Sequence, residues 1–308
     1  MEYVKLNPDS LTSGIQEAID RNVSGFIILG PGEYHIKEQL LVRSGTMIVS
    51  NNKTILINDL NERYQPFIKI EEYTDISYLI INSNKKSGIM VGNEGKNNNI
   101  NIGYLKIYNT GREFNECPMK ALSVTGYNIT INNLDIYMGN IGTSFENCSD
   151  IRINDMQVVN CSTGIRMYNT NNININNFSI DSCYYTGMQV DSTTNSYFKG
   201  TIWNNVEKYP NNNTEYACLM GRFSNYLNNG IEFDLRVIDT GKTGIDISNS
   251  NDISINCLLI NNKSSNISKG LDLHRRVQNI YIKGIIDSVK IPYEGKIDGK
   301  MDIIVRKA

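Results

Sequence analysis

Proline is scarce, with 6 in 308 residues; tryptophan occurs once and histidine twice. Neither sign of charge is in excess: 30 Lys and Arg stand against 32 Asp and Glu, a net charge of −2. A chain balanced in this way lacks the electrostatic footprint of a nucleic-acid or anionic-membrane binder, so neither is an expected partner. No apolar run approaches the roughly 18 residues that a membrane span needs. The first ten residues, MEYVKLNPDS, lack the basic and apolar regions of a signal peptide. Localisation therefore reads as cytoplasmic, virion-associated, or secreted after removal of a leader. The six cysteines form no C-x-x-C pair, so no zinc site is expected. Asparagine, by contrast, is abundant: 44 residues, roughly one in seven. With few prolines and many isoleucines, this points to β-structure with Asn-tolerant turns.

A repeat runs through most of the chain. Asn or Asp opens an apolar alternation, a polar pair follows, then a second alternation: N-I-N-I-G-Y-L-K-I from Asn99, N-I-T-I-N-N-L-D-I from Asn128, D-I-R-I-N-D-M-Q-V from Asp150 and N-I-N-I-N-N-F-S-I from Asn172. Weaker copies start at Asp75, Asn195, Asn225, Asp252 and Asn279. The starts are 22 to 30 residues apart. Such a period means stacked supersecondary units, and the alternation within each unit makes the units strands. No helical crossover separates them, which excludes a doubly wound α/β fold. Three short strands per repeat describe one coil of a parallel β-helix, each coil stacking on the last at about 4.8 Å. Asn132, Asn154, Asn176, Asn229 and Asn256 share the fifth position and are expected to form a ladder of stacked amides. Cys161 and Cys183 fall in one column and read as stacked buried thiols rather than a disulfide. Near the N-terminus, Asp9 and Ser10 are placed to cap a short helix with Leu11, Ile15, Ala18 and Ile19 on one face, closing the open end of the stack.

The coil pattern and the segment from Ala18 to Leu56, with I-L-G-P-G-E-Y-H-I and S-G-T-M-I-V-S, resemble the pectin-lyase-like right-handed parallel β-helix superfamily. The expected architecture is all-β: a single domain over residues 1–308, with a capping helix and first strands in 1–60. Regular coils, about ten in all, occupy 61–290, and irregular strands form a C-terminal cap in 291–308. The superfamily includes polysaccharide lyases, polygalacturonase-type hydrolases, uronan epimerases and phage tailspike depolymerases. The resemblance implies a polysaccharide substrate or ligand, and under a scaffold reading a side-by-side homotrimer.

Each coil also holds a strand led by Gly or Ala: GIMVG, ALSVT, GTSFE, GIRMY, GMQVD, GIDIS and GLDLH. Alternation turns its third and fifth residues outward. One outward column is then Met90, Ser123, Ser144, Arg166, Gln189, Asp246 and Asp272. The other is Gly92, Thr125, Glu146, Tyr168, Asp191, Ser248 and His274. The coil ACLMGRF has two registers: one exposes Leu219 and Gly221, the other Met220 and Arg222. In the superfamily this strand face is the polysaccharide cleft.

Asp246 and Asp272 occupy adjacent coils of one column, with Cβ atoms expected roughly 5 Å apart. Carboxylates so close resist double ionisation, which raises one of them toward the range of a general acid. Paired carboxylates are also the machinery of glycoside hydrolysis. They are the expected acid and base or nucleophile, with His274 as proton carrier or base and Asp191 in support. A calcium ion at this cluster is the competing expectation, with no other cofactor. Arg166 is suited to a uronate carboxylate and Tyr168 to sugar contact. Gln189, Glu146 and Arg222 extend the face, and Tyr184 and Tyr185 form its rim. Elimination by a lyase, uronan epimerisation, and glycan binding without turnover are the rival functions. The polygalacturonase motifs N-T-D-G, D-D, G-H-G and R-I-K do not occur as a set, nor does the D-P-x-D of epimerases; Lys242–Ser248 matches the first coil without its leading Asp.

Overall fold

The computed structural model describes all residues except 5, 23–24, 112–118, 204–214, 223–225, 240–241, 263–266, 275, 297 and 307–308. Most of Asn109–Lys120, which holds Cys117, and of Trp203–Tyr216, with part of Asn261–Lys269, therefore lies outside the described residues. The fold is an all-β parallel β-solenoid of about ten turns. Its strands pair in parallel with the equivalent strands of the coils before and after. The chain divides into two compact units, Met1–Asp155 and Met156–Ala308. Among the described residues no helix is long and apolar enough to cross a membrane.

In Met1–Asp155 the core is built of columns. Ile27, Ile48, Ile76, Ile102 and Ile131 follow one another in register, and all five are buried. Each supplies one inward position of a two-residue alternation, so apolar area is removed from water on every coil. The one helix of this unit among the described residues, Ile15–Arg21, buries Ile15, Ala18 and Ile19. It differs from expectation at its start. The preceding residue is Gly14, with φ 85° and no side-chain cap, and Leu11 is 49% exposed. Ser10 is engaged elsewhere: its hydroxyl accepts the Gly14 N–H at 3.0 Å and donates to Glu17 at 2.5 Å.

In Met156–Ala308 the matching column is Ile175, Phe198, Phe233, Ile255, Ile282 and Met301. The Phe198 and Phe233 rings pack with centroids 5.2 Å apart. Past Lys290, strands Ile291–Glu294 and Gly299–Arg306 are not irregular: they pair in register with Lys269–Leu273 and Val277–Asp287 as a further coil. Cys161 and Cys183 are buried thiols, not a disulfide, and burial raises the Cys183 thiol well above its ordinary range.

The abundant asparagine is turn chemistry. The opening residues Asn99, Asn128, Asp150, Asn172, Asn195, Asp252 and Asn279 all have φ between 45° and 63°. Asn, Asp and Gly tolerate that left-handed conformation best. Two copies differ. Asp75 pairs with Asn101, so the left-handed position there falls to Tyr73, φ 56°, two residues earlier than the sequence pattern implied. In the other it falls to Gly230, φ 62°, five residues past the expected start Asn225, which lies outside the described residues. Asn229 accordingly leaves the fifth-position ladder and pairs in register with Asn251. One rung of the ladder is present, the 2.8 Å bond from the Asn154 amide to Asn132, whereas the Asn256 amide donates to Glu232.

Candidate functional site

The Gly-led strands Thr243–Ile247 and Lys269–Leu273 lie side by side, with Tyr216–Met220 on one flank and Ile291–Glu294 on the other. Their glycines let the coils close: a Cβ on Gly244 would stand 2.6 Å from the Gly270 carbonyl oxygen, and one on Gly270 2.4 Å from that of Pro292. Register then stacks Gln189, Leu219, Asp246, Asp272 and Glu294 in one column. This settles the ambiguous coil, placing Cys218 and Met220 in the inward column and Leu219 in the outward one. Leu219 is nonetheless fully buried.

Over these strands opens a cleft of about 710 Å³. Asp246 and Asp272 stand on its floor, with His274, Arg222, Lys269 and Tyr216 around them. Both carboxylates belong to the outward column, yet they are covered rather than on the surface: Asp246 is 2% and Asp272 9% exposed. The flanking cationic side chains account for that cover. His274 Nε2 lies 3.1 Å from Asp246 Oδ2 and 3.6 Å from Asp272 Oδ1. Lys269 Nζ lies 3.0 Å from Asp272 Oδ2 and also pairs with Glu294. Arg222 Nη1 stands 3.9 Å from Asp246 Oδ2 and donates to the Tyr216 hydroxyl.

The two carboxylates are unequal. Asp246 Oδ1 is buried without a hydrogen-bond partner among the described residues. Burial pushes the Asp246 carboxyl above its ordinary range; His274 and Arg222 pull it down in part, and the like charge of Asp272 adds to the rise. Asp272 instead has an ammonium in direct contact. Asp246, Asp272 and His274 each offer a ligand atom within 4.8 Å of the others, a donor set also open to a cation.

Of the residues expected at the site, the cleft gathers Asp246, Asp272, His274 and Arg222. Tyr185 reaches its edge, packing edge-to-face on Tyr216 at 6.3 Å. Arg166, Tyr168, Gln189 and Asp191 lie on earlier coils of the same unit and do not line it. Asp191 is 2% exposed, and Gln189 donates to it at 2.7 Å, so it sits as a buried acceptor rather than an open catalytic group. Tyr184 is exposed but lies outside the cleft lining. Glu146 belongs to the other unit, where it pairs with Lys120 at 2.7 Å and accepts from Ser144 at 2.8 Å.

Tyr216, Lys269 and Glu294 were missed. Tyr216 and Lys269 sit one residue before the Gly- or Ala-led start, just outside the window of the strand pattern. Glu294 follows I-P-Y, a strand with no leading glycine to mark it. Extending the register of Asp272 by one coil finds it.

No family model matches the sequence, and neither does any curated protein. Solved structures do. The Dettilon tailspike protein superposes with a TM-score of 0.62 at 11% identity over 95% of this chain, which spans 65% of the tailspike's length. PfbA, a surface adhesin of Streptococcus pneumoniae, superposes with a TM-score of 0.58 at 14% identity over 95% of this chain and 86% of the adhesin. At such identities the likeness is one of fold: this chain has the parallel β-helix fold that a tailspike and a surface adhesin also have.

Proposed function

We propose that this protein is a right-handed β-helix, closed at one end by helix Ile15–Arg21, that binds a polysaccharide and hydrolyses a glycosidic bond in its cleft. The observation that carries this reading is the inequality of the two carboxylates. Asp246 is buried and raised, the condition of a general acid. Asp272 is held by Lys269 and acts as the nucleophile. Oxygens of the two lie no more than 4.8 Å apart, on the retaining side of the spacing and too close for a pair that must admit a water between them. The neighbours' names, a tailspike and an adhesin, support a surface that engages glycan, with a homotrimer as the expected assembly.

The test is a screen of polysaccharides for new reducing ends, followed by NMR of the first-formed anomer. Retention is expected, without the ultraviolet-absorbing double bond that elimination would leave. Unsaturated products would assign a lyase, and inversion would remove Asp272 as nucleophile. Binding with no turnover on any substrate would leave a glycan-binding scaffold, the reading that the adhesin likeness favours.

A calcium ion at Asp246, Asp272 and His274 is the second reading. Ca²⁺ takes 6–8 oxygen ligands, whereas this cluster includes an imidazole and already has Lys269 and Arg222 beside it. Hydrolysis is therefore expected to persist in EGTA, with no change in melting temperature; a melting point that drops on chelation would assign the cluster to the ion.

A further inference from the structure

The cationic groups of the cleft are not engaged alike. Lys269 is held between two carboxylates, Asp272 and Glu294. His274 bridges Asp246 and Asp272. Arg222 differs from both. Its one hydrogen-bonded partner among the described residues is the Tyr216 hydroxyl, a neutral acceptor, and its guanidinium carbon lies 5.1 Å from the centre of the Tyr216 ring. The nearest carboxylate oxygen, Asp246 Oδ2, is 3.9 Å away, outside hydrogen-bond reach. The Arg222 side chain is 45% exposed and lines the cleft.

A permanent charge is thus fixed in an open cleft by a phenol, and among the described residues no anion is hydrogen-bonded to it. Tyr216 is itself braced edge-to-face by Tyr185, so the guanidinium is oriented before any ligand arrives. A planar guanidinium held along one edge still offers donors on the other, in the fork that matches an oxyanion. Asp246, on the adjoining coil, is the carboxylate that burial disposes toward the neutral form, which leaves the charge of Arg222 the less balanced.

We infer that Arg222, braced by Tyr216, binds an oxyanion carried by the glycan, so that the cleft takes an acidic polysaccharide with its charged sugar beside the bond at Asp246 and Asp272. The position relative to that bond rests on the hydrolytic reading; the recognition of the oxyanion does not. Carboxylate, sulfate and phosphate share the chemistry.

The test is binding to an array of glycans in which each acidic member is paired with the same sugar after carboxyl reduction, desulfation or dephosphorylation. The parent protein should bind an acidic member and lose on the order of tenfold or more on its neutral partner. Arg222→Gln should lose that same factor on the acidic member and nothing on the neutral one, while Arg222→Lys keeps part of the preference. Which pair shows the effect identifies the group. Thermal melting of each variant checks that the fold is kept. The inference is overturned if no acidic member binds, if parent protein binds both partners alike, or if Arg222→Gln weakens both equally. Acidic binding without cleavage would retain this inference and reject the hydrolase; cleavage of an uncharged glycan, untouched by Arg222→Gln, would do the reverse.

Discussion

Asp246 is placed where a carboxylate is costly. One of its oxygens is buried without a partner, and burial raises its pKa above the ordinary value. In the unfolded chain the same group titrates near about 3.9. The folded value is the higher one, so over the interval between the two the folded state keeps a proton that the unfolded state has released. The contribution of Asp246 to stability is then greatest below about pH 3.9, declines as pH rises toward the folded value, and stays at its lowest above it. Asp246→Asn removes that dependence. Relative to the parent, the variant should gain stability as pH is raised through the interval and hold the gain at neutrality, while turnover falls on the order of 10²-fold or more. Urea midpoints at acidic and neutral pH, beside initial rates, check both halves. Asp135→Asn, in the other unit, where the Asp135 carboxylate accepts the Tyr104 hydroxyl at 2.6 Å, is the control and should leave turnover alone. A variant less stable than the parent at neutral pH would mean that Asp246 is structural. The column of Asp246 was legible in the sequence, but its burial was not. Alternation says which way a side chain leaves the strand and is silent on what closes over it, and here Arg222 and His274 come from turns beyond the strand ends.

At the scale of the element, the Gly-led strand was readable because its cause is local. Gly270 meets the Pro292 carbonyl oxygen so closely that a Cβ would stand 2.4 Å away, with two Ile286 methyl carbons at 3.1 and 3.2 Å. Backbone on one side and a packed core on the other leave little room to yield. Gly270→Ala should therefore destabilise by about 1–3 kcal/mol, read as a lower urea midpoint with an unchanged slope. Because Lys269 and Asp272 share that strand, activity should fall with it. The repeat start at Gly230 was misread for an equally local reason. Left-handed turns accept Asn, Asp or Gly, and a pattern keyed to Asn and Asp passed over the glycine and settled on Asn225. Glu294 was lost in the same way, its strand opening with Ile-Pro where the adjacent strand opens with Lys-Gly.

For the molecule as a whole, each coil of a solenoid touches only the next, so energetics should follow nearest neighbours. Within Met156–Ala308, Phe198 and Phe233 are adjacent in one column, and Ile282 lies two coils beyond Phe233. Phe198→Leu and Phe233→Leu, each costing about 1 kcal/mol, should couple by roughly 0.5 kcal/mol or more, whereas Phe198→Leu and Ile282→Val should add. Denaturation of the four variants tests this; strong coupling across the distant pair would mean that the core repacks as one body. The fold was the most legible level of all, since Ile every second residue and a turn residue every coil repeat many times over. The chemistry was the least, since it occurs once, in side chains that the repeat does not specify.

The registration of one coil on the next has an engineering corollary. Inward residues such as Ile245, Ile247, Leu271 and Leu273 hold the strands, while the reactive groups occupy the alternate positions between them. Arg166 and Gln189 stand to each other as Asp246 does to Asp272, and Asp191 follows Gln189 as His274 follows Asp272. Three substitutions, Arg166→Asp, Gln189→Asp and Asp191→His, would therefore place a second carboxylate pair and imidazole in the same register on an earlier pair of coils, leaving the apolar inward column untouched; the holding ammonium of Lys269 would have to be added at Thr186, which shares its column.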